Sequence, residues 1–220
     1  MGIHSTAIGP RTWQALVEAN RRSAWAERGV FATGIGPDYV SGSESGLLYV
    51  GKSAGPLGVA VGSGDDQIQS AVASTHWMVS RANRSAFWQL ADKFDRTRRS
   101  IAWTNVCKMD RIGGQAPPNG REWASIAGIS MTALAEEIEF LRPRMTLFAI
   151  SDFCISDVKD LIRRSGFLPA KLPFDDGITR FFSHADGRGV VTTRHPQGWS
   201  NENRDRVFSF VDQCLTKSPN

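Results

Sequence analysis

Four short β-prone apolar runs, at 47–50 (LLYV), 100–106 (SIAWTNV), 145–150 (MTLFAI) and 190–194 (VVTTR), are separated by stretches of helical spacing. This alternation limits the folds open to the chain more than any other feature. Consecutive apolar, aromatic and β-branched residues make strands buried on both faces, and such strands occur where helices cover both sides of a parallel sheet. The intervening segments supply those helices. In 12–27, Trp13, Leu16, Val17 and Ala24 fall on one stripe, and 86–94 carries Phe87, Trp88, Leu90 and Phe94 at helical spacing. Helices are also predicted over 67–80, 122–141, 155–164 and 202–215, and Phe181 and Phe182 fit an additional edge strand. A loop at 108–121 is punctuated by Gly113, Gly114, Pro117, Pro118 and Gly120. The expected fold class is α/β: a three-layer α/β/α sandwich with a mainly parallel central sheet and functional loops at the carboxyl ends of its strands.

A chain of 220 residues, 41% hydrophobic and 22% charged, buries a core of its own, so 1–220 reads as one α/β domain with an N-terminal helical extension over about 1–45. No apolar run approaches the roughly 20 residues of a membrane span. The N-terminus, with His4 and Arg11, lacks the pattern of a signal peptide, so a cytoplasmic location is expected. Cys107, Cys154 and Cys214 are odd in number and contain no C-x-x-C pair, which points to buried thiols rather than a disulfide framework or metal site. The net charge of +4 permits a polyanionic partner without requiring one.

The stretch 46–53, GLLYVGKS, fits the phosphate-binding pattern G-x-x-x-x-G-K-[ST]. That chemistry needs a strand before the first Gly and a helix opening at the Lys, so that backbone N–H groups converge on phosphate. Here the residues between the glycines are themselves the strand, and the following Ala54-Gly55-Pro56-Leu57-Gly58 would break the required helix. Nucleotide hydrolysis is thus a remote alternative, and the segment reads as a strand ending at Gly51 followed by a Gly-rich loop.

Three strand ends carry the remaining signal: GKSAGPLG at 51–58, Thr104-Asn105-Val106-Cys107-Lys108, and His195-Pro196-Gln197-Gly198-Trp199-Ser200. Together, in order, they resemble the uracil-DNA glycosylase superfamily over roughly residues 45 to 215. The first keeps Gly51, Gly55, Pro56 and Gly58 of a G-M-N-P-G-P-F-G loop. The second is similar to a T-N-x-x-K strand end, with Pro118, Asn119 and Glu122 at comparable intervals. The third resembles a hybrid of H-P-S-P-L-S and N-P-S-G-L-S, keeping His195, Pro196, Gly198 and Ser200.

The resemblance implies a uracil-DNA glycosylase-like fold and a protein that hydrolyses the N-glycosidic bond of a damaged or deaminated base flipped from DNA, without metal or organic cofactor. An enzyme of this kind needs a backbone that approaches the flipped nucleotide, a polar pocket for the base edge and a side chain to fill the emptied stack. Gly51 and Gly55 would allow the close approach, and Asn105 would read the base through its amide donor and acceptor. His195 would stabilise the departing base anion. Trp199 stands where the family has a wedge leucine, and Lys52, Lys108, Arg194 and Ser200 would meet DNA. Outside that context each has an ordinary structural use: strand-end cap, packing residue, core aromatic or solvated cation.

The chain also departs from the pattern. Ser53 occupies the place of the residue that positions or activates water, and a hydroxyl holds water without accepting its proton. The family's stacking aromatic falls on Asp66. Asp65 or Asp66 is then a candidate for the missing carboxylate, with Asp110 behind them. The alternative is a DNA- or base-binding module that has lost turnover.

Overall fold

The apolar runs all become strands of one sheet. In the computed structural model, which describes residues 7–26, 29–42, 46–53, 66–81, 83–109, 111 and 117–216, the elements follow in the order α1 (Pro10–Arg22), β1 (Gly34–Ile35), β2 (Leu47–Ser53), α2 (Gln67–Ser80), α3 (Ala86–Phe94), β3 (Ile101–Cys107), α4 (Gly120–Leu141), β4 (Met145–Ala149), α5 (Ile155–Arg164), β5 (Leu168–Ala170), β6 (Arg180–Ser183), β7 (Gly189–Thr193) and α6 (Asn201–Thr216). The sheet order is β1-β3-β2-β4-β7-β6-β5. Its centre, β3-β2-β4-β7, is parallel, while β1 on one edge and β6 and β5 on the other are antiparallel.

Strand alternation sorts the core into two sides. Leu48, Val50, Ala102, Phe148 and Val190 pack in one cluster with Trp13 and Leu16 of α1, Ile126 and Leu134 of α4 and Val158 of α5. Leu47, Tyr49, Trp103, Leu147 and Val191 pack in the other with Met78 of α2, Phe87 and Trp88 of α3 and Val207 of α6. Both faces of the sheet are therefore covered, as expected from strands that read as unbroken apolar runs.

Local signals set the helix ends. Pro10 opens α1, where a missing N–H costs nothing, and the helix stops at Ser23 rather than continuing to 27. Asn119 accepts hydrogen bonds from the N–H groups of Arg121 and Glu122, while the Glu122 carboxylate accepts from the Asn119 N–H, so Asn119 and Glu122 form a capping box for α4. The N-terminal segment is built into the sheet: residues 34–35 pair with β3, and the Phe31 N–H donates to the Lys108 carbonyl. Phe181 and Phe182 do lie in a strand, β6, but β5 covers its outer side and forms the edge.

The parallel strands fix where a site belongs. The chain runs from β2 to β3 on one side, then returns across the sheet to β4 on the other. The connections diverge at the carboxyl ends of β2 and β4, the place where open α/β sheets bind ligands.

Candidate functional site

Strand β2 does not end at Gly51. It continues through Lys52 and Ser53, with Gly51 in register with Asn105 and Ser53 with Cys107 on β3. The phosphate-loop geometry is therefore not formed, because Gly51-Lys52-Ser53 is extended strand rather than the opening of a helix.

Gly51 makes room for Asn105. A Cβ at Gly51 would run into Asn105 Oδ1 and lie 3.2 Å from Phe87 Cζ. Asn105 is only 2% exposed, and its Nδ2 has no hydrogen-bond partner among the described residues. A buried amide donor left without an acceptor is costly, of order 1–3 kcal/mol, and native structures rarely keep one without a use.

Phe87 joins this amide to the third loop. Its ring stacks on Tyr49 at 4.1 Å between centroids and lies nearly parallel to His195, at 5.8 Å and 14°. The Tyr49 hydroxyl donates to the Phe87 carbonyl at 2.8 Å, pinning the start of α3 to the sheet. Gly51 thus has both Asn105 and the Phe87 ring beside it, and the same ring lies parallel to His195.

His195 is held by its backbone and tuned by its surroundings. Its N–H donates to Ser151 Oγ at 2.9 Å, and its Nδ1 accepts the Gln197 N–H at 3.3 Å. Burial, and next the charge of Lys52, push its pKa down to about 4. The imidazole is neutral near pH 7, and with Nδ1 accepting, the ring proton resides on Nε2, which serves as a donor. Ser151 and Cys154, just beyond β4, adopt positive φ values of 56° and 47°. Strained non-glycine backbone of this kind clusters at functional sites, and here it delivers the hydroxyl that holds His195.

Lys52 is half-buried between these loops and makes no hydrogen bond or ion pair among the described residues. Burial lowers its pKa, and the neighbouring Asp152 and Cys154 oppose that shift. The Cys154 thiol is itself raised by burial and remains protonated.

Two of the predicted site residues have other employment. Lys108 is fully buried, its ammonium donating to Glu137 Oε2 at 2.5 Å and to Thr104 Oγ1 at 2.6 Å, so it is not a phosphate contact. The spacing placed it at a strand end but could not reveal that the residue just past β3 turns inward to Glu137 of α4. Asp66 caps α2, its Oδ1 accepting from the N–H groups of Ile68 and Gln69, which commits that oxygen to the helix rather than to a water.

The remaining predicted residues stand at the same rim. Trp199 is half-buried and packs against the second core cluster, so part of its ring belongs to the fold. Ser200 is exposed and accepts the Asn203 N–H, as a cap of α6. Arg194 is exposed beside His195. Gly55, Asp65 and Asp110 lie outside the described residues. Sequence reasoning missed Phe87, taken for an ordinary core residue of its helix, and Ser151, whose only signal was its place directly after a strand.

Neither a scan against protein-family models nor a search of curated proteins gives a match for this chain.

Proposed function

We infer that the protein is a DNA base-excision glycosylase-like hydrolase of the uracil-DNA glycosylase kind, acting on a damaged or deaminated base flipped out of the helix. The observation that carries this reading is the buried Nδ2 of Asn105, without a hydrogen-bond partner among the described residues, near the carboxyl end of β3 and across from Gly51, whose other neighbour, Phe87, lies parallel to His195. An amide donor needs a ligand acceptor, and a planar heterocycle with carbonyl oxygens supplies one together with a face for an aromatic ring.

In this mechanism Asn105 pairs with the edge of the base and Phe87 contributes an apolar surface against the pocket. As the glycosidic bond lengthens, negative charge builds on the base oxygen, and the Nε2–H of neutral His195 donates to it. A neutral donor suits this task because it stabilises the anion without surrendering its proton to bulk water. Burial, and second to it the charge of Lys52, keeps the imidazole in that form. Ser53, at the last position of β2, holds the attacking water, while Arg194 and Ser200 meet the DNA backbone and Trp199 the emptied stack.

The test is incubation with labelled oligonucleotides carrying uracil, hypoxanthine, xanthine or an oxidised pyrimidine, followed by alkali. Alkali-sensitive strands are expected for at least one base. Asn105→Ala and His195→Ala should each lower release by roughly 10²–10³-fold, the usual effect of removing one such donor. The serine at position 53 favours a second reading, a base-binding module without turnover. Tight binding of a modified oligonucleotide with no alkali-sensitive product would establish it instead.

A further inference from the structure

We propose that Arg84, Arg204 and Arg194, at the amino ends of α3 and α6, form a track that grips the phosphate backbone of the DNA strand leading away from the flipped base. The inference takes its partner from the reading of the pocket as a base-excision site. Arg84 and Arg204 have no part in the chemistry of that pocket.

Arg204 carries the argument. Its Nη1 donates to Gln89 Oε1 at 3.3 Å and its Nη2 to the Trp199 carbonyl at 3.3 Å, while its Nε is buried without an acceptor. No carboxylate pairs with this half-buried cation among the described residues. Neutral acceptors offset little of what a guanidinium loses when it leaves water, so a cation in this setting is ordinarily matched with an anion. One donor remains on each of Nη1 and Nη2, and phosphate oxygens are the acceptors that a planar guanidinium fits best.

Nearby acids have other partners. Asp205 pairs with Lys93 at 2.7 Å and Glu202 with Arg206. Asp176 accepts from the N–H groups of Ile178 and Thr179 and from the Thr179 hydroxyl.

Hydrogen bonds place the three arginines in sequence along one seam. Gln89 of α3 spans the first two, its Nε2 donating to the Arg84 carbonyl at 3.0 Å while its Oε1 accepts from Arg204. Arg204 then holds the Trp199 carbonyl, in the loop that Arg194 and His195 begin. The side chains of Arg84 and Arg194 are exposed and have no partner among the described residues. Both helices start at the rim of the pocket: α6 follows β7, and Phe87, near the start of α3, lies parallel to His195. Their amino ends add partial positive charge to the same line. A chain of regularly repeated negative charges is the partner such a line fits, and a strand whose base occupies the pocket supplies it.

The experiment is a fluorescence anisotropy titration of the full chain with a labelled single-stranded oligonucleotide carrying one tetrahydrofuran nucleotide, which has no base to release, repeated over a range of sodium chloride concentrations. Arg84→Gln and Arg204→Gln should each weaken binding and make the slope of log K against log salt shallower by about 0.7, the share of one phosphate contact on a single strand. Arg204→Lys keeps the cation and should keep the slope. Arg163→Gln, in the last turn of α5, which runs back from the carboxyl end of β4, should leave binding unchanged.

An unchanged slope in either glutamine variant, or an equal loss in Arg163→Gln, overturns the inference. Arg84 bonds nothing through its side chain, so Arg84→Gln decides the matter even if Arg204→Gln does not fold. Base release by a protein whose glutamine variants keep the parent's slope removes this proposal alone. An arginine-dependent slope without release of any base removes the hydrolytic reading alone.

Discussion

Gly51 shows how one missing side chain makes a site. Glycine ordinarily weakens a strand, so a Gly→Ala change inside β2 would on propensity alone be neutral or favourable. Here the added methyl meets Asn105 Oδ1 and the Phe87 ring. Gly51→Ala is expected to destabilise the fold by about 1–3 kcal/mol, the usual cost of overfilling a packed interior. It should also weaken binding of modified oligonucleotides, because Asn105 is the group displaced. Urea unfolding and a binding titration measure the two effects, and a variant more stable than the parent would show that the two strands do not approach as described.

His195 gives a second prediction at the same scale. Its pKa is about 4 in the folded protein, against an ordinary value of 6.5. Between these values the unfolded chain binds a proton that the native state refuses, so stability falls as pH drops from 6.5 toward 4, and the effect of this group levels off below that. Asp95 acts lower: although burial raises it, hydrogen bonds from Thr97 and Ser100 bring its carboxyl down to about 2 from 3.8. The stability it contributes is present above 3.8 and is lost as pH falls toward 2. His195→Gln should therefore flatten the unfolding free energy between pH 6.5 and 4 while leaving the steeper loss below pH 4. Base release should show no limb from His195 protonation between pH 5 and 8.

At the scale of elements, the capping box of α4 explains a spacing that also fitted a family pattern. Asn119 and Glu122 follow Asn105 at the intervals of the resemblance, yet their observed work is to satisfy N–H groups at the start of a 22-residue helix. Asn119→Ala should cost about 1 kcal/mol, measured by thermal or urea unfolding, and Asn119→Ser or Asn119→Asp should restore most of it, since both side chains accept the same bonds. A loss that no capping residue repairs would point away from the cap.

Elements were legible where periodicity or composition was strong. The four apolar runs and the helices between them appear at nearly the predicted positions, because strands buried on both faces leave no ambiguity of pattern. The short strands β1 and β5 were not legible, since two or three residues carry no period and their pairing is decided by neighbours far along the chain. The site was legible in part for a similar reason. Asn105, His195 and Gly51 stand within two residues of strand ends, which sequence order identifies. That Phe87 would lie against His195, or that Ser151 would turn with positive φ to hold it, depends on how a helix and a loop meet the sheet.

At the scale of the molecule, Lys108 illustrates the limit of reading charge from sequence, and it supplies the strongest structural test. Its ammonium, fully buried just past the end of β3, meets Glu137 of α4, whose other oxygen accepts from Thr33 Oγ1 at 2.5 Å and which also receives Thr104 Oγ1 at 2.9 Å. One carboxylate thus joins the segment leading into β1, the strand that carries Asn105, and the helix layer. Burial lowers the Lys108 pKa, and the nearby Glu137 works against that shift. Removing one member strands the other charge in the interior, which typically costs 3–5 kcal/mol, whereas replacing both with apolar residues of similar volume is often neutral or better. Lys108→Met and Glu137→Leu should each be strongly destabilising in urea unfolding, and the double variant should be far more stable than the sum of the two losses predicts. Thr33 and Thr104 would still lose their acceptor in that variant, so recovery should stop short of the parent by about 1–3 kcal/mol. Additive losses would mean that the two charges do not face each other inside the fold, and the attachment of β3 to the helix layer would then rest on apolar packing alone.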